Sequence, residues 1–175
     1  MRFSAKRIAA LAVLLALASI IFLVESLLPP LLPIAPYVKL GLANAIVLFV
    51  IAVFGVRDAF IVVIAKNLLT LLILGQTYAF IFNLAGSLSA CLIMTALYTV
   101  FYPRISLIAI SVAGAVLSNI ARTAVAVAIM DAKSLYVQLP VVSIFGVFAG
   151  IVVGVLTILL IKYLPERLTN PQNKD

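Results

Sequence analysis

Lys66, in the run FIVVIAKNLLTLLIL, and Arg122, in AVLSNIARTAVAVAIM, are cations set within otherwise apolar stretches. A charge at the centre of a bilayer costs at least about 2.5–3.5 kcal/mol, so such residues face a bundle interior or a polar cavity. Each has an asparagine close by: Asn67 follows Lys66, and Asn119 precedes Arg122 by three residues, one helical turn. Further polar groups stand toward the ends of other apolar runs: Glu25, Lys39, Asn44 and Asn83. With spans running alternately outward and inward, Glu25, Lys39, Asn44, Asn83, Asn119 and Arg122 would meet in the outer half of one bundle, floored by Lys66 and Asn67. Three cations against one carboxylate leave a positive surplus. In a dry pocket that surplus suits a carboxylate or phosphate, which arginine holds bidentately. The competing arrangement is internal: Glu25 pairs with Lys39 or Arg122, and the asparagines bridge helices. Two cations would still lack an acid.

Other chemistries lack their residues. Histidine is absent, which removes the usual general base and the commonest metal ligand. Aspartate occurs only at positions 58, 131 and 175, too dispersed for a magnesium-diphosphate site. No GxxxxGK[ST] loop is present, so ATP is not hydrolysed by that route. Cys91 is a single cysteine inside an apolar run. We expect no catalytic residues, no metal and no cofactor.

These residues must be held by membrane spans. The 175 residues are 66% hydrophobic and 10% charged, with a mean hydropathy of +1.36. A soluble domain is nearer 25% charged, so too little polar surface exists here to clothe a water-exposed globule. The length allows one membrane domain, residues 1–175, and no separate soluble domain. Apolar runs divided by charge, proline or glycine predict helices over 8–28, 39–55, 58–74, 78–101, 105–130 and 138–162. They do not alternate as barrel strands do. Ala16-Leu17-Ala18 resembles a signal cleavage site, but the apolar run continues to Leu28, long enough to remain as a first span. Pro29, Pro30, Pro33 and Pro36 cannot continue a helix and predict an external loop suited to a lid.

The net charge of +7 has no basic run interleaved with aromatics, so it argues for topology rather than nucleic acid. Arg2, Lys6, Arg7, Arg57, Arg104, Lys162, Arg167 and Lys174 fall on one side, Lys39 and Lys133 on the other. Cationic loops collect in the cytoplasm, which predicts N-in, C-in topology in a bacterial-type cell membrane. Tyr37, Tyr78 and Tyr136 would mark the outer interface, Tyr98, Tyr102 and Tyr163 the inner one.

Small residues form two stripes. Ala5, Ala9, Ala12 and Ala16 share one face of the first helix, and Gly146, Gly150 and Gly154 make a doubled GxxxG in the last. Such stripes let helices approach closely in lipid. The glycines are expected to pack within the bundle, and the alanines to pack internally or to dock another membrane subunit.

The run Pro36-Tyr-Val-Lys-Leu-Gly-Leu-Ala-Asn44, after Glu25-Ser-Leu-Leu-Pro-Pro-Leu-Leu-Pro33, resembles the Gx transporter family, whose members are often labelled heptaprenyl diphosphate synthase component I. Asn83-Leu-Ala-Gly86 and Gly114-Ala-Val are also similar. The chain departs from the family pattern at Ser118-Asn119-Ile-Ala-Arg122 and at Lys66-Asn67, which touch the expected pocket. The family looks like the substrate-binding S components of energy-coupling factor (ECF) importers. That resemblance implies a six-helix membrane bundle capturing a small anionic or amphipathic nutrient from outside, such as an isoprenoid or quinone precursor. It also implies a transmembrane coupling subunit, met through the alanine stripe, and two ATPases. Two other functions compete: a membrane component of polyprenyl (heptaprenyl) diphosphate synthesis, and a membrane subunit of a flavin-linked electron-transfer complex.

Overall fold

The computed structural model describes residues 5–27 and 39–163. They form six α-helices: α1 (Ala5–Leu27), α2 (Asn44–Val53), α3 (Val56–Leu74), α4 (Thr77–Phe101), α5 (Leu107–Met130) and α6 (Leu139–Tyr163). A 3-10 helix, Lys133–Gln138, leads into α6, and no strand occurs among the described residues. Runs of Leu, Ile, Val and Ala with few polar groups leave the backbone to satisfy itself, and in lipid a helix does so within one segment. The expected proline-rich lid and Tyr37 lie outside the described residues, as do Arg2, Arg167 and Lys174.

Four segments are long and apolar enough to cross a membrane: Ala5–Leu27, Thr77–Phe101, Leu107–Met130 and Lys133–Tyr163. The other two helices depart from the expected spans. The second was expected from residue 39, yet α2 begins at Asn44. Gly41 takes a left-handed conformation, φ +72°, which a glycine tolerates and a helix interior does not. The Asn44 N–H then closes a turn onto the Gly41 carbonyl at 2.8 Å. At 10 residues α2 is about 15 Å long, half the thickness of a hydrocarbon core. It is buried on every side from Asn44 to Ile51, packed by α1, α3, α4 and α6. An all-apolar helix of this kind is a core element. Helix α3 is 19 residues long but carries Arg57, Asp58 and Lys66.

Three glycines set close approaches between α5 and α6. A Cβ at Gly146 would lie 3.2 Å from the Val116 Cα, and one at Gly154 would lie 2.7 Å from the Ile108 Cα; Gly150 sits tighter still on Val112. The α6 stripe therefore seats against the α5 backbone. Helix α1 buries Ala10, Leu14, Ala18, Phe22 and Glu25, while Ala5, Ala9, Ala12 and Ala16 are exposed on its other side. Its first turns are tied down by Arg7. The guanidinium donates to Asp58 from Nε at 2.9 Å and from Nη2 at 2.5 Å, and Nη2 also donates to the Phe54 carbonyl at 2.7 Å. That clamp holds the start of α1 on the α2–α3 turn.

Candidate functional site

At the opposite end of the bundle, the end of α1 meets the turn before α2. The Glu25 carboxylate accepts the backbone N–H of Gly41 at 2.6 Å and of Leu42 at 3.2 Å. This explains the glycine of the KLGLAN run: its positive φ turns the amides toward the acid. Glu25 thus caps a backbone turn, and the competing arrangement, its pairing with Lys39 or Arg122, is not found: no ion pair within 4.0 Å joins it to either. The Arg7–Asp58 bridge is the one ion pair among the described residues.

The three cations nevertheless gather. Phe22, on the Glu25 face of α1, holds the Lys39 ammonium 4.4 Å from its ring centroid and the Lys66 ammonium 4.9 Å from it. A cation over an aromatic face gains roughly 0.5–2 kcal/mol, most when desolvated. Lys39 also donates to the Ser26 hydroxyl at 2.6 Å, and Lys66, 1% exposed, to the Ser87 hydroxyl at 3.3 Å. Arg122 lies within electrostatic range of both lysines and of Glu25. Lys39 stands on the connection before α2. Burial first, then the Arg122 guanidinium, lower its amine from the usual 10.5 to about 8, against an opposing pull from Glu25.

Arg122 is 2% exposed. Its side chain lies across Gly86 of α4, where a Cβ would stand 2.8 Å from the Arg122 Cγ and 2.9 Å from the Ser118 Oγ. Only a glycine leaves room there. The Nε and Nη1 of Arg122 are buried without a hydrogen-bond partner among the described residues. Buried donors are nearly always paired, and a buried charge most of all. The site thus combines positive charge with unused donors.

The asparagines divide. Asn67, beside Lys66 in α3, is fully buried and donates from Nδ2 to the Val63 carbonyl at 2.7 Å, leaving Oδ1 without a donor. Asn83 borders a narrow cleft with Phe22, Thr70, Leu71, Leu74 and Phe80. Asn44 is buried at the first turn of α2, against Gly41. Asn119 is directed toward α6, its Nδ2 3.3 Å from where a Gly146 Cβ would sit. The structure brings Glu25, Lys39, Lys66 and Arg122 near one another, whereas Asn119 is directed toward α6.

The cleft beside Phe22 has a volume of only about 10 Å³, about the space one water centre needs. The described residues close over the cations, so a guest must part them. A larger groove of about 540 Å³ lies on α4 and α5 between Ile93, Ala113, Leu117 and Ile120. Its lining is hydrocarbon and reaches none of the charged groups, so it suits an acyl chain rather than the anion.

Phe22 and Ser87 were not among the residues singled out from the sequence, and Ser26 and Gly86 entered only as members of the family-like runs. Phe22 stands three residues before Glu25, and Ser87 four after Asn83, so helical spacing alone places them beside marked residues.

No curated protein and no solved structure matches the chain. The profile of the family described as heptaprenyl diphosphate synthase component I matches residues 14–160, from the first helix into the last. The chain belongs to that family.

Proposed function

As a member of the heptaprenyl diphosphate synthase component I family, this chain, we infer, is the substrate-binding membrane subunit of an importer of the ECF type. It captures a small anionic or amphipathic nutrient, such as an isoprenoid or quinone precursor, in the outer half of a six-helix bundle with both termini in the cytoplasm. One observation carries the reading. Lys39 and Lys66 share the Phe22 ring and Arg122 lies over the neighbouring Gly86, with no carboxylate in ion-pair range of the three among the described residues, and Arg122 keeps two buried donors unused. A protein that only needed to fold would have little reason to keep such charges, because replacing buried ionic groups with apolar ones is often neutral or stabilising. The positive-inside distribution supports the topology. The exposed alanine stripe on α1 supports docking of a coupling subunit, through which two ATPases would act.

The family's description favours a second reading, a membrane component of polyprenyl diphosphate synthesis. Against it, the chain's three aspartates are dispersed, and Asp58 is already paired with Arg7. Purified protein given labelled allylic and isopentenyl diphosphates would elongate chains on that reading. On ours it leaves them unchanged, and an anionic ligand that co-purifies with the wild type, identified by mass spectrometry, is lost from Arg122→Ala and Lys66→Ala. Retention of that ligand by both variants refutes the binding role.

A further inference from the structure

The cations say that the ligand is an anion; Asn67 says what else it carries. Its Nδ2 is engaged by the Val63 carbonyl at 2.7 Å, which fixes the amide, since exchanging O and N would set oxygen against oxygen. The Oδ1 is therefore an acceptor, fully buried and without a donor among the described residues. Asn67 directly follows Lys66, whose amine shares the Phe22 ring with Lys39 and lies in range of Arg122. Arg122 lies over Gly86 and Lys66 donates to Ser87, the next residue of α4, so the unpaired donors of Arg122 stand one residue along α4 from the Lys66 contact, and the unpaired Asn67 acceptor follows Lys66 on the buried face of α3. A complementary guest offers the reverse: anionic acceptors for the guanidinium and ammonium groups, and a donor for the amide oxygen. The cleft beside Phe22, the ring that Lys66 shares, is bordered by Leu71, Leu74 and Phe80 as well as by Thr70, Gln76 and Asn83, a largely apolar wall with polar edges.

We propose that the ligand is a small carboxylate with an apolar body that also bears a hydroxyl or amine donor directed to Asn67. This rests on the binding role inferred above and narrows it. An isoprenyl diphosphate meets the cations, but its ionised oxygens only accept, so it leaves the Asn67 oxygen unpaired. A site built to bond a substrate donor discriminates strongly against the analogue that lacks it.

The test uses the full chain in lipid nanodiscs at pH 7, where the Lys39 amine still carries its charge. Calorimetry follows binding of benzoate, of 2-, 3- and 4-hydroxybenzoate, and of isopentenyl diphosphate. At least one hydroxybenzoate is expected to bind about tenfold or more tighter than both benzoate and the diphosphate. In Asn67→Leu that advantage over benzoate should shrink to about twofold or less. Equal binding of benzoate and all three hydroxybenzoates by the wild type, which needs no variant, overturns the proposal. So does tightest binding of the diphosphate, or an advantage that survives Asn67→Leu. If these anions bind with affinity that depends on Arg122 and the hydroxyl adds nothing, this inference fails and the binding role stands. Binding of none of the five, or binding indifferent to Arg122→Ala, overturns both.

Discussion

Replacing Arg122 with methionine should weaken anion binding while leaving the fold as stable as before or more so. The side chain is 2% exposed, lies over Gly86 and Ser118, and keeps Nε and Nη1 without partners among the described residues. Methionine preserves most of the stem, so little packing is lost where the glycine makes room. On the binding side, two charge-assisted hydrogen bonds at about 1.5–3 kcal/mol each sum to roughly 3–6 kcal/mol. That corresponds to an affinity loss of about 10²–10⁴-fold. On the folding side, the variant no longer buries a guanidinium whose placement at depth costs at least about 2.5–3.5 kcal/mol. Thermal unfolding of ligand-free protein in one detergent should place the Arg122→Met midpoint at or above that of the wild type. Calorimetric titration with the tightest-binding carboxylate should show the affinity loss. A midpoint several degrees lower, with affinity unchanged, would mean that protein groups already match the guanidinium, and the reasoning from unused donors would fail.

Three further outcomes follow from the same structure. Lys39, whose amine is lowered to about 8, loses its charge as pH rises through that value; its contribution to carboxylate binding should be full below pH 7 and gone above pH 9, and Lys39→Met should lack this step in titrations across that range. Arg7→Gln leaves the Asp58 carboxylate, 2% exposed, without its partner, and should cost about 1–3 kcal/mol by chemical denaturation, less than a fully buried pair because Arg7 is 27% exposed. Adding Asp58→Asn should restore part of that loss; no recovery would show that the clamp acts through Phe54 instead. Ala12→Leu with Ala16→Leu, both on the exposed side of α1, should abolish co-purification with a coupling subunit while leaving carboxylate binding within about twofold, and intact assembly would remove the docking face.

Hydropathy alone told that this chain lives in lipid as helices, because the apolar runs leave no polar surface to face water and lipid offers the backbone no other partner. Helical spacing and the expense of intramembrane charge marked Glu25, Lys39, Lys66 and Arg122, which share a neighbourhood in the fold. Both signals are local, so one strand of residues suffices to read them. The short, wholly buried α2 was hidden: its residues are as apolar as a span, and only Gly41 at positive φ, bonded to Glu25 from another helix, decides where it starts. The partner of each polar group was hidden too. Nothing local says that Glu25 spends its oxygens on two backbone amides, that one phenyl ring serves two lysines, or that Asp58 answers Arg7 across 51 positions. Asn119 looked like a member of the cluster by spacing, yet packing against Gly146 turns it to α6. Depth and residue type are properties of a segment; which side chains meet depends on how helices rotate and tilt against one another, and that is set by the sum of many small packing contacts.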